Sequence, residues 1–581
     1  MNRIYRYFFL VFVVLLFEAC NLNHPSFSIG DSFSESEFCS RCFLMIPVDE
    51  SNGESDVIVT SSAGEQHLKI RLAETEIDYY VPLKCNGRTT IKIMGNHADY
   101  LFENMKFSRK LHYEYDAEYR PYIHFTAPQG WINDPNGLIY INGEYHLYYQ
   151  HNPYGAKWGN MTWGHATTKD FIHWEHHGDA LFPDKNGNAF SGCCIQDCNN
   201  VSGFGENALL AFYTSDAPSG QTQSLAYSID GGKTFEKYEG NPVLTSDVYR
   251  DFRDPKVFWH EPSSKWVMAL SAAKTIQFYS SSDLKTWNHE SVFTYPDVAN
   301  DAIVWECPDI FPMNDSNGVQ KWVMINSNLC HGGSMSKVRY YIGDFDGHSF
   351  IPETSSDHEI NLVDYGPDFY ASATYANAPD GRTIMATWMN GVAYAGDTPY
   401  YGGFRGAHTL PRDLFLYSDG DRWYVGNTVC EEVRKGAKSS ETIADLTVEK
   451  GETSEIRISD TPYCIRMKME DASVPFVLQF SAEEKVELEY CPSKRKMSIN
   501  RSESGDCSFS DRFVKSWDVD VPFSNEIELE IWVDRTSVEC FLNGGKVSST
   551  FQVFPSKIYD TVKLTSLGSR IDVSNIEITR F

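Results

Sequence analysis

Asp170-Phe171-Ile172-His173-Trp174 is the first of five similar stretches that together decide the fold of this chain. In each one, an aspartate is followed four or five residues later by Trp or Phe. A polar turn therefore ends at an aromatic side chain that can fill a core. Successive aspartates are separated by roughly 50 to 75 residues, somewhat more than the usual repeat of a β-propeller blade. The other four stretches are Asp230-Gly231-Gly232-Lys233-Thr234-Phe235, Asp283-Leu284-Lys285-Thr286-Trp287, Asp346-Gly347-His348-Ser349-Phe350 and Asp419-Gly420-Asp421-Arg422-Trp423.

Strand-like runs lie between these aspartate turns. The first is a hairpin over residues 138–149, and its Asn142-Gly143 pair is typical of a type I′ turn. The sequence of this region shows no long amphipathic helical pattern. Five all-β units in succession predict a five-bladed β-propeller. Five coincidental turns are the alternative, but the even spacing of the turns favours a repeat.

The rest of the chain is organised around this propeller, and the predicted fold class is all-β throughout. Short runs of alternating apolar and polar residues predict strands on both sides of it. In the N-terminal region these runs are residues 56–60, 67–72, 78–83 and 89–94. We predict four parts: a signal peptide (1–19), a small N-terminal β domain (20–115), the five-bladed propeller (116–434) and a C-terminal β-sandwich (435–581).

The N-terminus has the pattern of an export signal. Arg3 and Arg6 precede an apolar run over residues 8–17, which is too short to span a bilayer as a helix. Ala19 and Cys20 follow, as in bacterial lipoprotein signals, in which the cysteine becomes the lipidated first residue. We expect either lipidation of Cys20 or ordinary signal cleavage. Both place the protein outside the cytoplasm, in the periplasm or anchored to a membrane by that lipid.

Composition narrows the class of partner. The formal net charge of −29 argues against nucleic acid, whose binding needs a basic surface. An aromatic content of 14% suits stacking on sugar rings, although aromatic residues also fill β-sheet cores. Cys39 and Cys42 have the spacing of half a zinc site, but a second pair at matching spacing is missing. We therefore predict no metal and no cofactor.

A propeller binds ligands at one end of its central channel, and we expect each blade to contribute residues from its innermost strand. Upstream of each aspartate turn, a polar residue lies beside an aromatic residue, Gly or Pro. Four of these five segments supply a carboxylate, and superposed repeats would bring the carboxylates into one pocket. The segments are Asn133-Asp134, Phe190-Ser191-Gly192, Arg253-Asp254-Pro255, Glu306-Cys307-Pro308 and Asp368-Phe369-Tyr370.

Converging carboxylates repel one another, so at least one of them should have a raised pKa. Glycoside hydrolysis needs such a pair, with one carboxylate ionised as nucleophile and one carboxyl protonated as general acid. Pro135 and Gly137 are turn formers that can aim Asp134 into a cavity. The alternative is that these acids are solvated or paired with a cation, as Asp254 could be with Arg253.

These motifs resemble those of glycoside hydrolase family 32, the family of invertases, inulinases and levanases. The resemblance covers residues 122–581, and the N-terminal β domain lies outside it. Further similar segments lie at Trp158-Gly159-Asn160 and over residues 532–539 in the predicted sandwich. The three signature motifs are Trp131-Ile132-Asn133-Asp134-Pro135-Asn136-Gly137, Arg253-Asp254-Pro255 and Glu306-Cys307-Pro308.

The resemblance implies a retaining hydrolase that releases β-D-fructofuranosyl units from levan or inulin, from sucrose, or from both kinds of substrate. It implies that Asp134 is the nucleophile, that Glu306 is the acid/base and that Asp254 stabilises the transition state. It places a further set of side chains around the fructose. These residues are Asn133, Gln150, Trp158, Phe190, Ser191, Arg253, Asp368 and Trp388.

Two alternatives stay open at this point. One is a non-catalytic fructan-binding lipoprotein on the same propeller, although a binding protein has no need of both Asp134 and Glu306. The other is a propeller hydrolase for arabinose-containing polymers. Such an enzyme would share the three acids but would lack the context of residues 131–137.

Overall fold

The computed structural model describes residues 27–29, 33–62, 64–113, 115–295, 302–330, 335–353, 361–400, 402–420 and 422–581. The predicted signal peptide and Cys20 lie outside these residues, as does the side chain of Cys39. Among the helices that the structure describes, none has the length and apolar character needed to cross a membrane.

The N-terminal region forms a six-stranded antiparallel sheet. Its two longest strands pair along their whole length, from Phe33 opposite Met94 to Val48 opposite Tyr79. The second of them joins two runs that the sequence predicted as separate strands, because residues 84–88 continue the pairing. The elements are β1 (Ser28–Ile29), β2 (Phe33–Val48), β3 (Ser55–Ser61), β4 (Gly64–Ile70), β5 (Tyr79–Met94), helix α1 (Asp99–Asn104) and β6 (Lys106–Ser108).

Five successive sheets follow in the described part of the chain, and neighbouring strands within each hairpin are antiparallel. The first sheet contains β7 (Gly130–Ile141), β8 (Glu144–Asn152), β9 (Thr162–Thr168) and β10 (Trp174–Leu181). The second contains β11 (Asn188–Asp197), β12 (Ala208–Ala217), β13 (Gly220–Ser228) and β14 (Glu236–Lys237). The third contains β15 (Phe252–His260), β16 (Lys265–Ala272), β17 (Thr275–Ser281) and β18 (Asn288–Phe293).

The fourth sheet contains β19 (Ala302–Asn314), β20 (Gln320–Cys330), β21 (Lys337–Phe345) and β22 (Phe350–Pro352). The fifth contains β23 (Tyr370–Thr374), β24 (Ile384–Trp388), β26 (Arg412–Asp419) and β27 (Arg422–Val429). Between β24 and β26, the two-residue strand β25 (Phe404–Arg405) pairs in parallel with β7, Phe404 lying opposite Gly130. The chain therefore returns from the fifth sheet to the first. Short 3₁₀ turns lie at Glu261–Ser263 and Pro379–Gly381.

The five aspartate turns occupy equivalent places, between the third and fourth strands of their sheets. At the first four, the aspartate carboxylate accepts two backbone N–H groups of its own turn at 2.7–3.1 Å. The fifth differs, since Asp419 ends β26 and lies opposite Arg422 in a tight hairpin. In four of the five repeats, the aspartate thus accepts hydrogen bonds from backbone donors of its own turn.

The C-terminal region is a sandwich of two antiparallel sheets, and the apolar side chains between them form the largest buried cluster described. Helix α2 (Glu431–Lys435) leads into it. One sheet contains β28 (Ser439–Ile443), β29 (Leu446–Val448), β31 (Tyr463–Met469), β36 (Ile527–Asp534), β37 (Ser537–Leu542), β38 (Val547–Gln552) and β40 (Ile571–Arg580). The other contains β30 (Thr453–Arg457), β32 (Phe476–Ser481), β33 (Lys485–Cys491), β34 (Lys496–Glu503), β35 (Ser516–Asp520) and β39 (Thr561–Ser566).

A buried ionic network joins the sandwich to the five-sheet region. His124 lies 2.8 Å from Asp534 through Nδ1 and 2.8 Å from Glu539 through Nε2, and all three side chains are fully buried. Because both ring nitrogens face carboxylates, both must donate, and His124 is an imidazolium. Glu539 also pairs with Arg412, which lies 2.9 Å from Asp364. Each buried charge therefore has a partner of opposite sign.

This network predicts how stability varies with pH. Burial alone would lower the pKa of His124, but hydrogen bonds to Asp534 and Glu539 raise it from its ordinary 6.5 to about 9. The folded chain then binds this proton more tightly than the unfolded chain does. The stabilisation is complete below about pH 6.5 and is lost as the pH rises through about 9.

We expect His124→Gln to lower stability by about 3 kcal/mol at pH 6, because it leaves the buried Asp534 carboxylate without its cation and leaves Glu539 with Arg412 alone. The difference in melting temperature between wild type and variant should shrink as the pH rises from 6 to 9.5. Thermal melts at several pH values measure this difference. Two curves that stay parallel over that range would contradict the assignment of the raised pKa to His124.

Candidate active site

The first strand of each of the five sheets has an irregular register beside the polar residue that the sequence analysis selected. A bulge of this kind adds a residue to one strand and redirects its side chains. Because these strands all lie innermost, the bulges can turn side chains from five sheets toward one cavity. The shifts lie between Ile132 and Pro135, Ala189 and Gly192, Arg253 and Lys256, Glu306 and Asp309, and Tyr370 and Ala373.

Backbone conformation at three of these bulges is unusual. Asp254, Cys307 and Ala371 have φ values of 64°, 48° and 56°, in the left-handed region that residues with a Cβ rarely adopt. Hydrogen bonds hold all three in place, and the Ala371 N–H donates to Ser327 Oγ at 3.0 Å. The Asp254 N–H donates to Thr214 Oγ1 at 2.9 Å, and the Cys307 N–H donates to Asp254 Oδ2 at 2.9 Å. The third and fourth sheets are thereby linked through the Asp254 carboxylate.

Asp134 lies on β7 between two donors. Ser191 Oγ donates to its Oδ2 at 2.6 Å, and the amide of Asn133 donates to its Oδ1 at 2.9 Å. Burial raises the pKa of Asp134, and these two hydrogen bonds oppose that rise because they stabilise the ionised form. The nearby carboxylate of Glu306 adds to the rise. The result is an oriented carboxylate with little solvent around it.

Asp254 has the most clearly perturbed carboxyl group of the cavity. Burial raises its pKa to about 7. The positive charge of Arg253 lowers this pKa, while the carboxylates of Glu306 and Asp134 raise it. Near neutral pH this carboxyl group can therefore accept a hydrogen bond in one protonation state and donate one in the other.

Glu306 is held by a cation and a phenol. Arg253 donates to its Oε1 from Nε at 3.2 Å and from Nη2 at 2.9 Å. The Tyr370 hydroxyl donates to its Oε2 at 2.5 Å. Arg253 is oriented by two further acceptors, Gln221 and Asp251. The side chain of Glu306 is therefore positioned through both of its oxygens.

The thiol of Cys307 lies between the acids, with Sγ at 3.6 Å from Asp134 Oδ2 and 3.7 Å from Asp254 Oδ2. Burial raises the pKa of this thiol far above its ordinary value, and the surrounding carboxylates raise it further. Cys307 is therefore a neutral thiol that packs between the carboxylates, and it is not a nucleophile. Within the described part of the chain, no cluster of His, Cys, Asp and Glu side chains could hold a metal ion.

The three acids lie in one cavity of about 470 Å³, a volume suited to a small ligand. Its walls are largely apolar, and Trp388 packs edge-on against Trp131 at 5.8 Å between ring centroids. Trp158 is 51% exposed and lies at the rim. Ten of the eleven predicted active-site residues line this cavity: Asn133, Asp134, Gln150, Trp158, Phe190, Ser191, Arg253, Asp254, Glu306 and Trp388.

The predicted placement of Asp368 is wrong. Its carboxylate is fully buried behind the cavity and forms an ion pair with Arg501 of the sandwich, which is also fully buried. It also accepts a hydrogen bond from the Tyr394 hydroxyl and one from the Gln552 N–H at 2.7 Å. A carboxylate neutralised in this way has no hydrogen-bonding capacity directed at a sugar.

Tyr370, two residues later, is the side chain that the first strand of the fifth sheet contributes to the cavity. The sequence motif contains this tyrosine, but the prediction fell on the acid two residues before it. The sequence did contain a signal for Tyr370, because the residues predicted for the other four sheets all lie within the first strand of their sheets. β23 begins at Tyr370, so Asp368 precedes the strand. Gln221, Asp251, Leu329, Val392, Ala395 and Gly396 also line the cavity and were not selected.

Comparisons with known proteins identify the architecture. Family models described as "Glycosyl hydrolases family 32 N-terminal domain" and "Glycosyl hydrolases family 32 C terminal" match residues 124–425 and 429–580. The chain belongs to glycosyl hydrolase family 32. It is a glycosidase, as the sequence motifs predicted. The N-terminal sheet, β1 to β6, lies outside both matched regions.

Named relatives of this family 32 enzyme are hydrolases of fructans. It is 37% identical to a levanase of Bacillus subtilis over 80% of this chain and 70% of that protein. It is 35% identical to an extracellular exo-inulinase of Aspergillus niger over 80% of this chain and 96% of that protein.

Solved structures of the family show the same fold. The exo-inulinase of Aspergillus awamori superposes with a TM-score of 0.74 at 33% identity, covering 81% of this chain and 99% of that one. A β-fructofuranosidase of Schwanniomyces occidentalis, complexed with fructosyl-erythritol, gives 0.71 at 27% identity, covering 80% and 98%. The predicted fold class, a β-propeller followed by a C-terminal β-sandwich, is confirmed by these similarities.

Proposed function

We propose that this enzyme is a retaining β-fructosidase that releases β-D-fructofuranosyl units from levan or inulin, from sucrose, or from both kinds of substrate. The observation that carries the proposal is the convergence of Asp134, Asp254 and Glu306 in one cavity of sugar size. The levanase and exo-inulinase relatives and the fructosyl-bound neighbour support the same substrate class.

Asp134 is the nucleophile in this proposal. Its oxygen bonds to the anomeric C2 of the fructosyl unit as the bond from C2 to the leaving oxygen breaks. The hydrogen bonds from Ser191 and Asn133 favour the ionised carboxylate that this attack requires. They also fix the orientation of the Asp134 carboxylate, so that its oxygen is already positioned to attack C2.

Glu306 is the acid/base. It gives its proton to the leaving oxygen in the first step and takes a proton from the attacking water in the second, so that the carboxyl group is regenerated. Arg253 and Tyr370 hold its two oxygens while the proton is moved. Gain and loss of this proton are balanced over the two steps, and no cofactor is needed.

Asp254 stabilises the positively charged sugar that lies between substrate and intermediate. A carboxylate near an oxocarbenium-like transition state contributes favourable electrostatic energy in a site from which water is excluded. With a pKa of about 7, the group can also hydrogen-bond to ring hydroxyls in either protonation state. Trp388 and Phe190 supply apolar surface for the carbon face of the ring.

The proposal is tested by incubating the protein with sucrose, inulin and levan and following the products. Release of fructose is expected, with the β-anomer formed first if the reaction retains configuration. Fructose as the sole early product would indicate cleavage at chain ends, and larger fragments would indicate internal cleavage. A lack of turnover on all three substrates would overturn the proposal. The alternative of a non-catalytic fructan-binding lipoprotein has no support among the named relatives, which are hydrolases.

We also propose export and attachment to a membrane through lipid on Cys20. Support comes from the basic and apolar pattern of residues 1–20 and from relatives named as extracellular enzymes. Wild type and Cys20→Ala, expressed in a bacterium, should partition differently between detergent and aqueous phases. Equal partitioning into the aqueous phase would favour ordinary signal cleavage.

A further inference from the structure

The N-terminal sheet, which lies outside the matched family regions, packs against the rim of the cavity. Its apolar core includes Tyr154 and Ala156, which belong to the loop 152–160 between β8 and β9. Trp158 lies in the same loop, at the cavity rim, with its ring 5.8 Å from that of Phe190. The core of one domain therefore extends into a loop that shapes the cavity of another.

Two buried polar side chains of the N-terminal domain hold this loop. Glu50 Oε1 accepts the N–H of Ala156 at 2.5 Å, and the Tyr79 hydroxyl accepts the same N–H at 2.8 Å. The Tyr79 hydroxyl in turn donates to Glu50. The Lys157 ammonium donates to the backbone oxygen of Glu50 at 2.8 Å. Both residues that precede Trp158 are thus bound to the N-terminal domain.

A second anchor follows Trp158. The side chain of Asn160 pairs with the backbone of Lys69 on β4, accepting its N–H at 2.8 Å and donating to its carbonyl at 2.8 Å. It also donates to Asn152 at 3.0 Å, and Asn152 donates to the carbonyl of Lys157 at 2.8 Å. Trp158 therefore lies between two points at which the loop is fixed to the N-terminal sheet.

The same domain supports the opposite part of the rim. The Tyr400 hydroxyl donates to Asp78 at 3.1 Å, and the Arg405 guanidinium stacks on the Tyr400 ring at 4.6 Å. Arg405 donates to the carbonyl of Ala156 at 3.1 Å and to that of Gly396, which lines the cavity. One network therefore connects the two walls of the cavity entrance through the N-terminal domain.

We propose that the N-terminal domain is part of the substrate-binding apparatus: Glu50, Tyr79 and Asn160 position Trp158 to bind the fructan chain beyond the bond that is cleaved. The inference rests on the proposed function, since it assigns the leaving-group side of that cavity. The side chains of Glu306 and Asp254 are 19% and 7% exposed, against 51% for Trp158, so a chain attached to the cleaved unit should leave past the rim. A half-exposed indole at that rim offers a flat apolar face to a sugar.

The test compares Glu50→Ala with Glu50→Gln. Alanine removes the acceptor for the Ala156 N–H, whereas glutamine keeps a carbonyl oxygen there. For Glu50→Ala we expect KM for inulin and levan oligosaccharides to rise about fivefold to twentyfold, as for the loss of one buried hydrogen bond. We expect a smaller rise for sucrose and a kcat within about twofold of wild type, because no reacting group is touched. Glu50→Gln should restore KM.

Leu101→Ala is the control for a loss of stability alone. Leu101 is fully buried in α1 and takes no part in the hydrogen bonds that hold the loop 152–160. This variant should melt at a lower temperature with an unchanged KM. If Leu101→Ala and Glu50→Ala raise KM equally, the N-terminal domain contributes stability and not positioning.

A double-substitution cycle tests whether Glu50 acts through Trp158. Once Trp158→Ala has raised KM for the oligosaccharides, adding Glu50→Ala should raise it by less than twofold more. Fully additive effects would overturn the inference. An active wild type with unchanged KM in Glu50→Ala would also overturn it and would leave the proposed function intact. An inactive wild type would instead remove the proposed function.

Discussion

Asp134→Ala is expected to abolish turnover, with a loss in kcat of at least about 10⁴-fold, the scale seen when a nucleophile is removed. The Cys307 thiol beside it does not replace Asp134 as nucleophile, because its pKa is raised far above the ordinary value and the thiol is neutral. Substrate binding should persist, since Trp158, Trp388 and Arg253 remain. Single-turnover assays and equilibrium binding of an inulin oligosaccharide measure the two quantities separately.

The melting temperature of Asp134→Ala provides the control for folding. Asp134 is a part-buried carboxylate close to those of Glu306 and Asp254, and its removal relieves repulsion. We therefore expect a melting temperature equal to or above that of wild type. Asp251→Asn is a matched variant, because Asp251 lines the same cavity and its carboxylate pairs with Arg253. It should lose far less activity. Comparable losses in both variants would remove Asp134 from the role of nucleophile.

Glu306→Ala is expected to lose about 10²- to 10⁴-fold in kcat on sucrose, the usual contribution of a positioned general acid. A substrate whose leaving group needs no proton, such as a nitrophenyl fructoside, should lose much less in the first step. The reason is that the acid serves the leaving oxygen, and a stable phenolate departs without it. Initial rates on both substrates, measured with the same preparation, give the comparison.

Tyr370→Phe is the matched variant for Glu306. It removes the hydroxyl that donates to Glu306 Oε2 and keeps the ring in the cavity wall. Glu306 then loses one of the contacts that orient its oxygens, so kcat on sucrose should fall, and the activated substrate should be affected less. Equal losses on sucrose and on the activated substrate in Glu306→Ala would argue against acid catalysis.

The aspartate turns show how far local sequence can specify this fold. An aspartate that satisfies its own turn, followed by a core aromatic, needs only neighbouring residues, so its signal survives in the linear sequence. The expected position of the first strand in each repeat also pointed to Asp134, Ser191, Asp254 and Glu306, and all four line one cavity. Each lies inside a strand that the spacing could locate.

Asp368 shows where this reasoning fails. Its role depends on Arg501, which is 133 residues away in another domain, and no local pattern reports that partner. The pair stabilises the contact between propeller and sandwich, whereas Tyr370 faces the cavity. The positive φ angles of Asp254 and Cys307 were equally inaccessible, because they are maintained by hydrogen bonds from other sheets.

The sequence by itself determined the repeat, the three acids and the family, because turn chemistry and strand alternation act over a few residues. Only the tertiary structure decided which acid is neutralised by an arginine, how the bulges direct the others, and that a separate N-terminal sheet holds Trp158. These outcomes depend on burial and on contacts between distant segments. Desolvation and pairing then set whether a carboxylate faces the cavity, as Asp134 does, or stabilises the packing of domains, as Asp368 does.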